Sequence, residues 1–484
     1  MEIAEPHEST RILNGGRKRN FYTFFEDMGG KLFELRPRKS DDFYLLMGEQ
    51  CHIYKRRWLM LALFALCSMC NASHWIQYSI IANVAMRFYN VSALAVNWTS
   101  MIYMAVYIPL VFPASWLLEK KGLRVAIILG ALLMCIGAWI KVFTARPDGF
   151  TLTFIAQLII GVAQMFTLSV PARLAAVWFG EKEVSTACAI GVFGNQLGIA
   201  LGFLIPPAFV EDIDDVDIIA SQLYTLYFGM AVAPTIVLIL VILLFEATPP
   251  LPPSYAQVHA QKKENNQNYF KNILQLVTNR NFALLLCSFG INIGVFYAYS
   301  TLLNQELVNF PQGFESAGRV GLTLVFGGVV GSVVWGIVLD KTHKYKETTL
   351  IIYSLAVVGM LGFTFALRSQ HLALVYFTSG FLGFFMNGYL TVGYEFGAEL
   401  TYPHAECTSS GLLNASGELC GVVFVLISGL VLENWSDLPT NLGLTSVLLI
   451  GLILTFPISK HQLMRLAASR LRPTGDTTVH VMVE

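Results

Sequence analysis

Four side chains could do chemistry in a chain that otherwise offers little of it: Trp75, Tyr297, Gln196 and Glu418 each lie well inside a long apolar run. An indole and a phenol converging on a water-poor cavity can hold a quaternary ammonium over their π faces, at about 0.5 to 2 kcal/mol per contact. For this pair the competing reading is plain packing. A carboxylate in hydrocarbon must face protein or water, so Glu418 could counter a substrate cation, carry a coupling proton or bind a substrate hydroxyl. Its competing reading is a helix-bridging group satisfied by Ser416 or a neighbour. Asn71, Trp75 and Tyr78 stand at i, i+4 and i+7, which predicts an amide, an indole and a phenol on one helical face. Asn292, Phe296, Tyr297 and Tyr299 answer them from the second half of the chain.

The elements that carry these residues follow from composition. Of 484 residues, 55% are apolar and 13% are charged, where a soluble chain carries about 25% charge. A bilayer core needs about 20 apolar residues per helix, and twelve segments meet that length. In the first half they run 58–86, 98–118, 123–144, 151–178, 184–209 and 222–245. In the second they run 281–308, 317–339, 348–367, 372–398, 408–432 and 440–458. The expected fold is an all-α polytopic membrane protein in two pseudo-symmetric six-helix bundles. Its divisions are a basic tail at 1–57, a bundle at 58–245, a linker at 246–280, a bundle at 281–458 and a tail at 459–484.

Charge fixes the expected orientation. The 32 Lys and Arg fall mostly on the tails, the linker and the loops on their side of the membrane, which places both termini in the cytosol. The opposite face carries Glu211, Asp212, Asp214, Asp215 and Asp217 together with sequons at Asn90, Asn97 and Asn434, of which Asn90 and Asn434 are the glycosylation candidates. Basic and acidic residues balance at 32 each, so no basic field points to nucleic acid. No nucleotide-binding loop, catalytic triad or metal cluster is visible, so neither an enzyme nor an ATP-driven pump is expected, and no cofactor or metal. The eight cysteines, mostly within spans, read as small core residues.

The two halves repeat one another. Asn71, Trp75, Tyr78, Ser79 and Asn83 of span 1 match Asn292, Phe296, Tyr299, Ser300 and Asn304 of span 7 at a constant offset of 221. Glu119 and Lys120 match Asp340 and Lys341 at the same offset, and Glu183, Ser185, Gly194 and Gly198 match Glu406, Thr408, Gly417 and Gly421 at 223. Such a register points to a duplicated six-helix unit. With the loop "SWLLEKKGLR" and its echo "GIVLDKTHKYK", this organisation resembles the major facilitator superfamily. The resemblance sets spans 1 and 7 on opposite walls of a central cavity. Glu119 and Asp340 would lock one conformation at helix ends, the alternative being a topogenic charge cluster. The paired glycines of spans 5 and 11 read as close-packing positions. Asn83 and Asn304 are expected to meet across the exoplasmic gate when the protein opens inward.

The segments "NASHWIQYSIIANV", "VWFGEKEVSTACAIGVFGNQLG", "FYAYSTLLN", "GRVGLTLV" and "TSSGLLNASGELCG" narrow the match. They resemble the feline leukaemia virus subgroup C receptor-related transporters over about residues 57–459. Members of that family are facilitators for choline and ethanolamine, and haem export has been attributed to them. The resemblance implies a choline-type cation between Trp75 and Tyr297, with its hydroxyl at Gln196. At the span 11 position the family pattern carries glutamine where this chain has Glu418. Haem finds no His or Cys axial ligand in the cavity spans beyond the lone His74. A non-transporting receptor or sensor on the same bundle is a further alternative, although Gln164, Asn387, Tyr389 and Glu395 offer a polar path that favours transport. In the linker, Pro252, Pro253, Ser254 and Tyr255 form a PPxY string of the kind WW domains take. A monomer in the plasma membrane, with the lipid bilayer and a small cation as partners, is expected.

Overall fold

The computed structural model describes residues 52–168, 170–180, 183–253, 269–308, 310, 313–401 and 406–458. The tails expected at 1–57 and 459–484 lie almost wholly outside the described residues. Among the described residues, twelve helices are long and apolar enough to cross a bilayer. In the first half these are Arg57–Tyr89, Ala93–Leu118, Lys120–Val142, Phe150–Leu168, Thr186–Phe209 and Val216–Leu244. In the second half they are Arg280–Leu307, Ser316–Leu339, Tyr345–Ser369, Leu372–Thr401, Thr408–Asn434 and Asp437–Thr455. They are spans 1 to 12 below.

Local sequence sets several span ends. Ser92 accepts from the Ala95 amide at 3.3 Å to open span 2, Asp215 accepts from Asp217 and Ile218 to open span 6, and Asn279 accepts from Asn281 to open span 7. Near the start of span 3 the chain kinks at Gly122 with φ of 81°, a left-handed conformation that favours glycine. At the other end of the molecule, span 1 closes on Asn90 in the same region.

Span 1 is not one continuous helix. Regular helix runs Arg57–Trp75, a 3₁₀ turn follows at Ser79–Ile81, and helix resumes at Ala82–Tyr89. Carbonyls released by the break cannot be left bare in hydrocarbon. The Ser100 hydroxyl donates to the Trp75 carbonyl at 3.0 Å, and the Gln157 amide donates to that of His74 at 3.3 Å. One further expectation is corrected. The fourth apolar run, expected as one helix over 151–178, divides into Phe150–Leu168 and Pro171–Trp178, because Pro171 has no N–H to continue the ladder. The linker at 246–280 holds a helix at Tyr269–Thr278, where "YFKNILQLVT" spaces its apolar residues for an amphipathic turn.

The same packing scheme serves both halves. Span 1 lies on span 5, span 7 on span 11, span 2 on span 11 and span 8 on span 5, so the last two contacts join the halves. Gly194, Gly198 and Gly202 bring span 5 against span 1: a Cβ on Gly198 would stand 2.3 Å from the Met69 carbonyl. On span 7, Gly290 and Gly294 do the same against Ser416 and Cys420 of span 11. Gly318 and Gly321 of span 8 receive the Phe203 backbone and ring from span 5.

Candidate functional site

Trp75 is the last residue of regular helix before the break in span 1, and it is 6% exposed. Its ring meets that of Tyr297 from span 7, with centroids 5.3 Å apart and planes at 69°. This edge-to-face contact crosses between the halves. Tyr297 sits in a notch: a Cβ on Gly421 would come within 2.8 Å of both its Cδ2 and the Met104 sulfur. Its hydroxyl donates to Glu418 Oε1 at 3.2 Å. Glu418 is 1% exposed, and its Oε2 is buried with no hydrogen-bond partner. The arrangement is a pair of aromatic faces backed by a carboxylate that has one oxygen spare.

Gln196 also has a buried, unpartnered Oε1. It lies two helical turns from Phe203 on span 5, and Phe203 faces span 8, so Gln196 is on the face that meets the second half.

Asn71 and Tyr78 do not join them, which corrects the expectation of a single face. The Asn71 amide donates to the Ile160 carbonyl of span 4 at 3.2 Å. Tyr78 turns into the first bundle, 6.0 Å from the Tyr227 ring and 5.2 Å from Lys141 Nζ. The helical period that would align Tyr78 with Trp75 is lost where the helix breaks. Sequence reading also missed Lys141, which reads as a charge at the end of span 3 yet is buried, with Nζ donating to Gln77 Oε1 at 3.1 Å. His74 stands beside it at 3.3 Å. Among the described residues no group of three or more His, Cys, Asp or Glu could hold a metal.

Toward the end of the bundle away from the linker, the Asn83 backbone N–H donates to Asn304 Oδ1 at 3.4 Å, and the Gln305 amide donates to Asn97 Oδ1 at 2.6 Å. Both bonds cross between the halves. Asn97 therefore cannot accept a glycan in this fold: it lies inside span 2 and is 1% exposed. Asn90 and Asn434 are exposed. Arg87 pairs with Asp212 and, at 3.1 Å, with Asp214, so the acidic run folds back onto span 1. Glu119 and Asp340 are within helices, and their side chains lie outside the described residues. At the linker, His52 N–H donates to the Pro252 carbonyl at 3.2 Å and Pro253 is buried. Ser254 and Tyr255 lie outside the described residues.

Two repeated six-helix halves, crossed by an aromatic pair and by paired amides, define a polytopic α-helical membrane protein of the transporter type. The Major Facilitator Superfamily family model matches residues 58–425. A zebrafish protein named choline/ethanolamine transporter flvcr2b is 48% identical over 429 residues, covering 88% of each chain. The human choline/ethanolamine transporter FLVCR2 is 46% identical over 405 residues, covering 83% of this chain and 77% of the relative. The chain belongs to the major facilitator superfamily and, within it, to the feline leukaemia virus subgroup C receptor-related family. The solved structures agree on fold alone. An inward-facing bacterial Spinster homologue aligns with a TM-score of 0.65 at 14% identity, covering 86% of this chain and 99% of that one. The fucose transporter FucP in its outward conformation aligns at 0.57 and 15%, covering 84% and 100%.

Proposed function

We propose that the protein carries choline, and ethanolamine beside it, across the membrane by alternating access, with the ammonium group held between Trp75 and Tyr297. The observation that carries this reading is the ring pair between the halves, tied at Tyr297 to a buried carboxylate with one unpartnered oxygen. In a site shielded from water, two π faces and a carboxylate complement an organic monocation. The unpartnered Gln196 Oε1 suits a substrate hydroxyl or ammonium N–H. Relatives named as choline/ethanolamine transporters support the same cargo. A cation wedged between the rings would part spans 1 and 7, coupling occupancy to the movement of the halves.

Both termini are cytosolic in this reading and the plasma membrane is the address, with Asn83 and Asn304 at the exoplasmic gate and Glu119 and Asp340 at the cytosolic one. The WW-domain partner at Pro252, Pro253 and Tyr255 belongs to the proposal too, and needs Pro253 to leave its buried position. The decisive experiment is uptake of labelled choline into cells expressing the chain, at two external pH values, beside Trp75→Ala and Glu418→Gln. Trp75→Ala should lower saturable uptake about tenfold or more, the loss of a desolvated cation–π contact. A pH dependence present in the parent and absent from Glu418→Gln would assign the carboxylate. No saturable uptake by protein shown to be at the cell surface would sink the choline reading.

A further inference from the structure

Outside the Asn83–Asn304 contact lies a cavity of about 820 Å³, lined by the ends of spans 1, 2, 7, 9, 11 and 12 and by residues that join them. Its size falls within the range of small-molecule sites. Its wall carries three carboxylates, Glu306, Glu433 and Asp437, against one cationic side chain, Arg87. Arg87 is already neutralised from behind by Asp212 and Asp214. The surplus of negative charge is therefore not compensated on the wall.

Glu306 distinguishes this cavity from a merely acidic surface. It is 6% exposed, its Oε2 accepts from the Asn441 amide at 3.4 Å, and its Oε1 is buried with no partner. A buried carboxylate oxygen without a donor carries a desolvation cost that a bound cation would relieve. Trp435, 77% exposed, lines the same cavity and offers a π face, the other group that recognises an ammonium.

We infer that this vestibule is a second binding site, for an organic ammonium ion, in which Glu306 and Trp435 hold the cation before it passes the Asn83–Asn304 contact. Its role as a waiting site for cargo rests on the proposed function, whereas its chemistry as a cation site does not. A negatively lined mouth also raises the local concentration of the cation.

The test is equilibrium binding of labelled choline, and separately of tetramethylammonium, to the purified full-length protein carrying Trp75→Ala. A weak saturable component should remain, and adding Glu306→Gln should weaken it about fivefold or more. Glu306→Asp keeps the charge while disturbing the Asn441 contact, so it should hold binding within about twofold of the parent; loss equal to that of Glu306→Gln would make Glu306 structural and overturn the site. Glu433→Gln with Asp437→Asn should weaken binding by a smaller factor, independently of the packing around Glu306. If no saturable binding survives in Trp75→Ala, or what survives ignores Glu306→Gln, the vestibular site is wrong. Tetramethylammonium binding that depends on Glu306, in a protein that neither binds nor transports choline, would retain the vestibule and reject the cargo.

Discussion

Spans 1 and 7 carry matching side chains at a constant offset of 221, yet one is broken and the other runs unbroken as Arg280–Leu307. Their polar groups differ in the same sense. In span 1, Asn71 is bonded to the Ile160 carbonyl and Ser79 to Ser100 at 2.6 Å. In span 7, both amide atoms of Asn292 and the Ser300 hydroxyl are buried without partners. Asn71 and Ser79 are thus engaged by neighbouring spans, whereas their mates Asn292 and Ser300 have no partner and span 7 spends Asn304 on the contact between the halves. A broken helix in lipid needs neighbours to satisfy it, whereas an unbroken one satisfies its own backbone. Nor do the aromatic mates face each other: Trp75 meets Tyr297 rather than Phe296, its mate by offset.

The comparison breaks most readily at the aromatic positions. Trp75→Ala should remove transport while leaving a folded protein. Phe296→Ala, which hollows out a buried position in the second half, should instead lower stability by about 3 kcal/mol; thermal melting beside uptake separates the two. A smaller contrast is expected between Asn71→Ala and Asn292→Ala. The first leaves the Ile160 carbonyl without its second donor and should cost about 1 kcal/mol, the second should be neutral or stabilising, and equal melting shifts would show that span 7 uses its amide after all. Smallest is Ser79→Ala against Ser300→Ala, about 0.6 kcal/mol against none by the measure of hydrogen bonds between membrane helices, resolvable by melting in one detergent.

The repeat was legible because duplication leaves side-chain types in register, and the apolar runs marked all twelve spans. The break after Trp75 was not, since "HWIQYS" contains neither proline nor glycine. What permits it is Ser100 and Gln157, supplied by spans 2 and 4, so the information is tertiary. Tyr78 was misplaced for the same reason, a helical period carried across a segment that is not helical, whereas Asn71, in regular helix with Trp75, is taken by the Ile160 carbonyl of span 4. Trp75, Tyr297 and Glu418 do converge, legible as costly residues at mid-span. Glu306 carries that same signal near the end of span 7 and was passed over there.

Among the described residues, the bonds from Asn83 to Asn304 and from Gln305 to Asn97 join the halves beyond the aromatic pair, and both are made by uncharged groups. Arg87 and its aspartates all belong to the first half and travel with it. Parting the halves at this end therefore separates no ion pair at either amide contact. A membrane potential does work of about 2.3 kcal/mol per elementary charge per 100 mV, and here it would find its charge on the cargo rather than on the latch. Voltage would then pull on the loaded carrier through its cargo, and on the empty one only through side chains buried elsewhere in the spans, such as Glu306, Glu418 and Lys141.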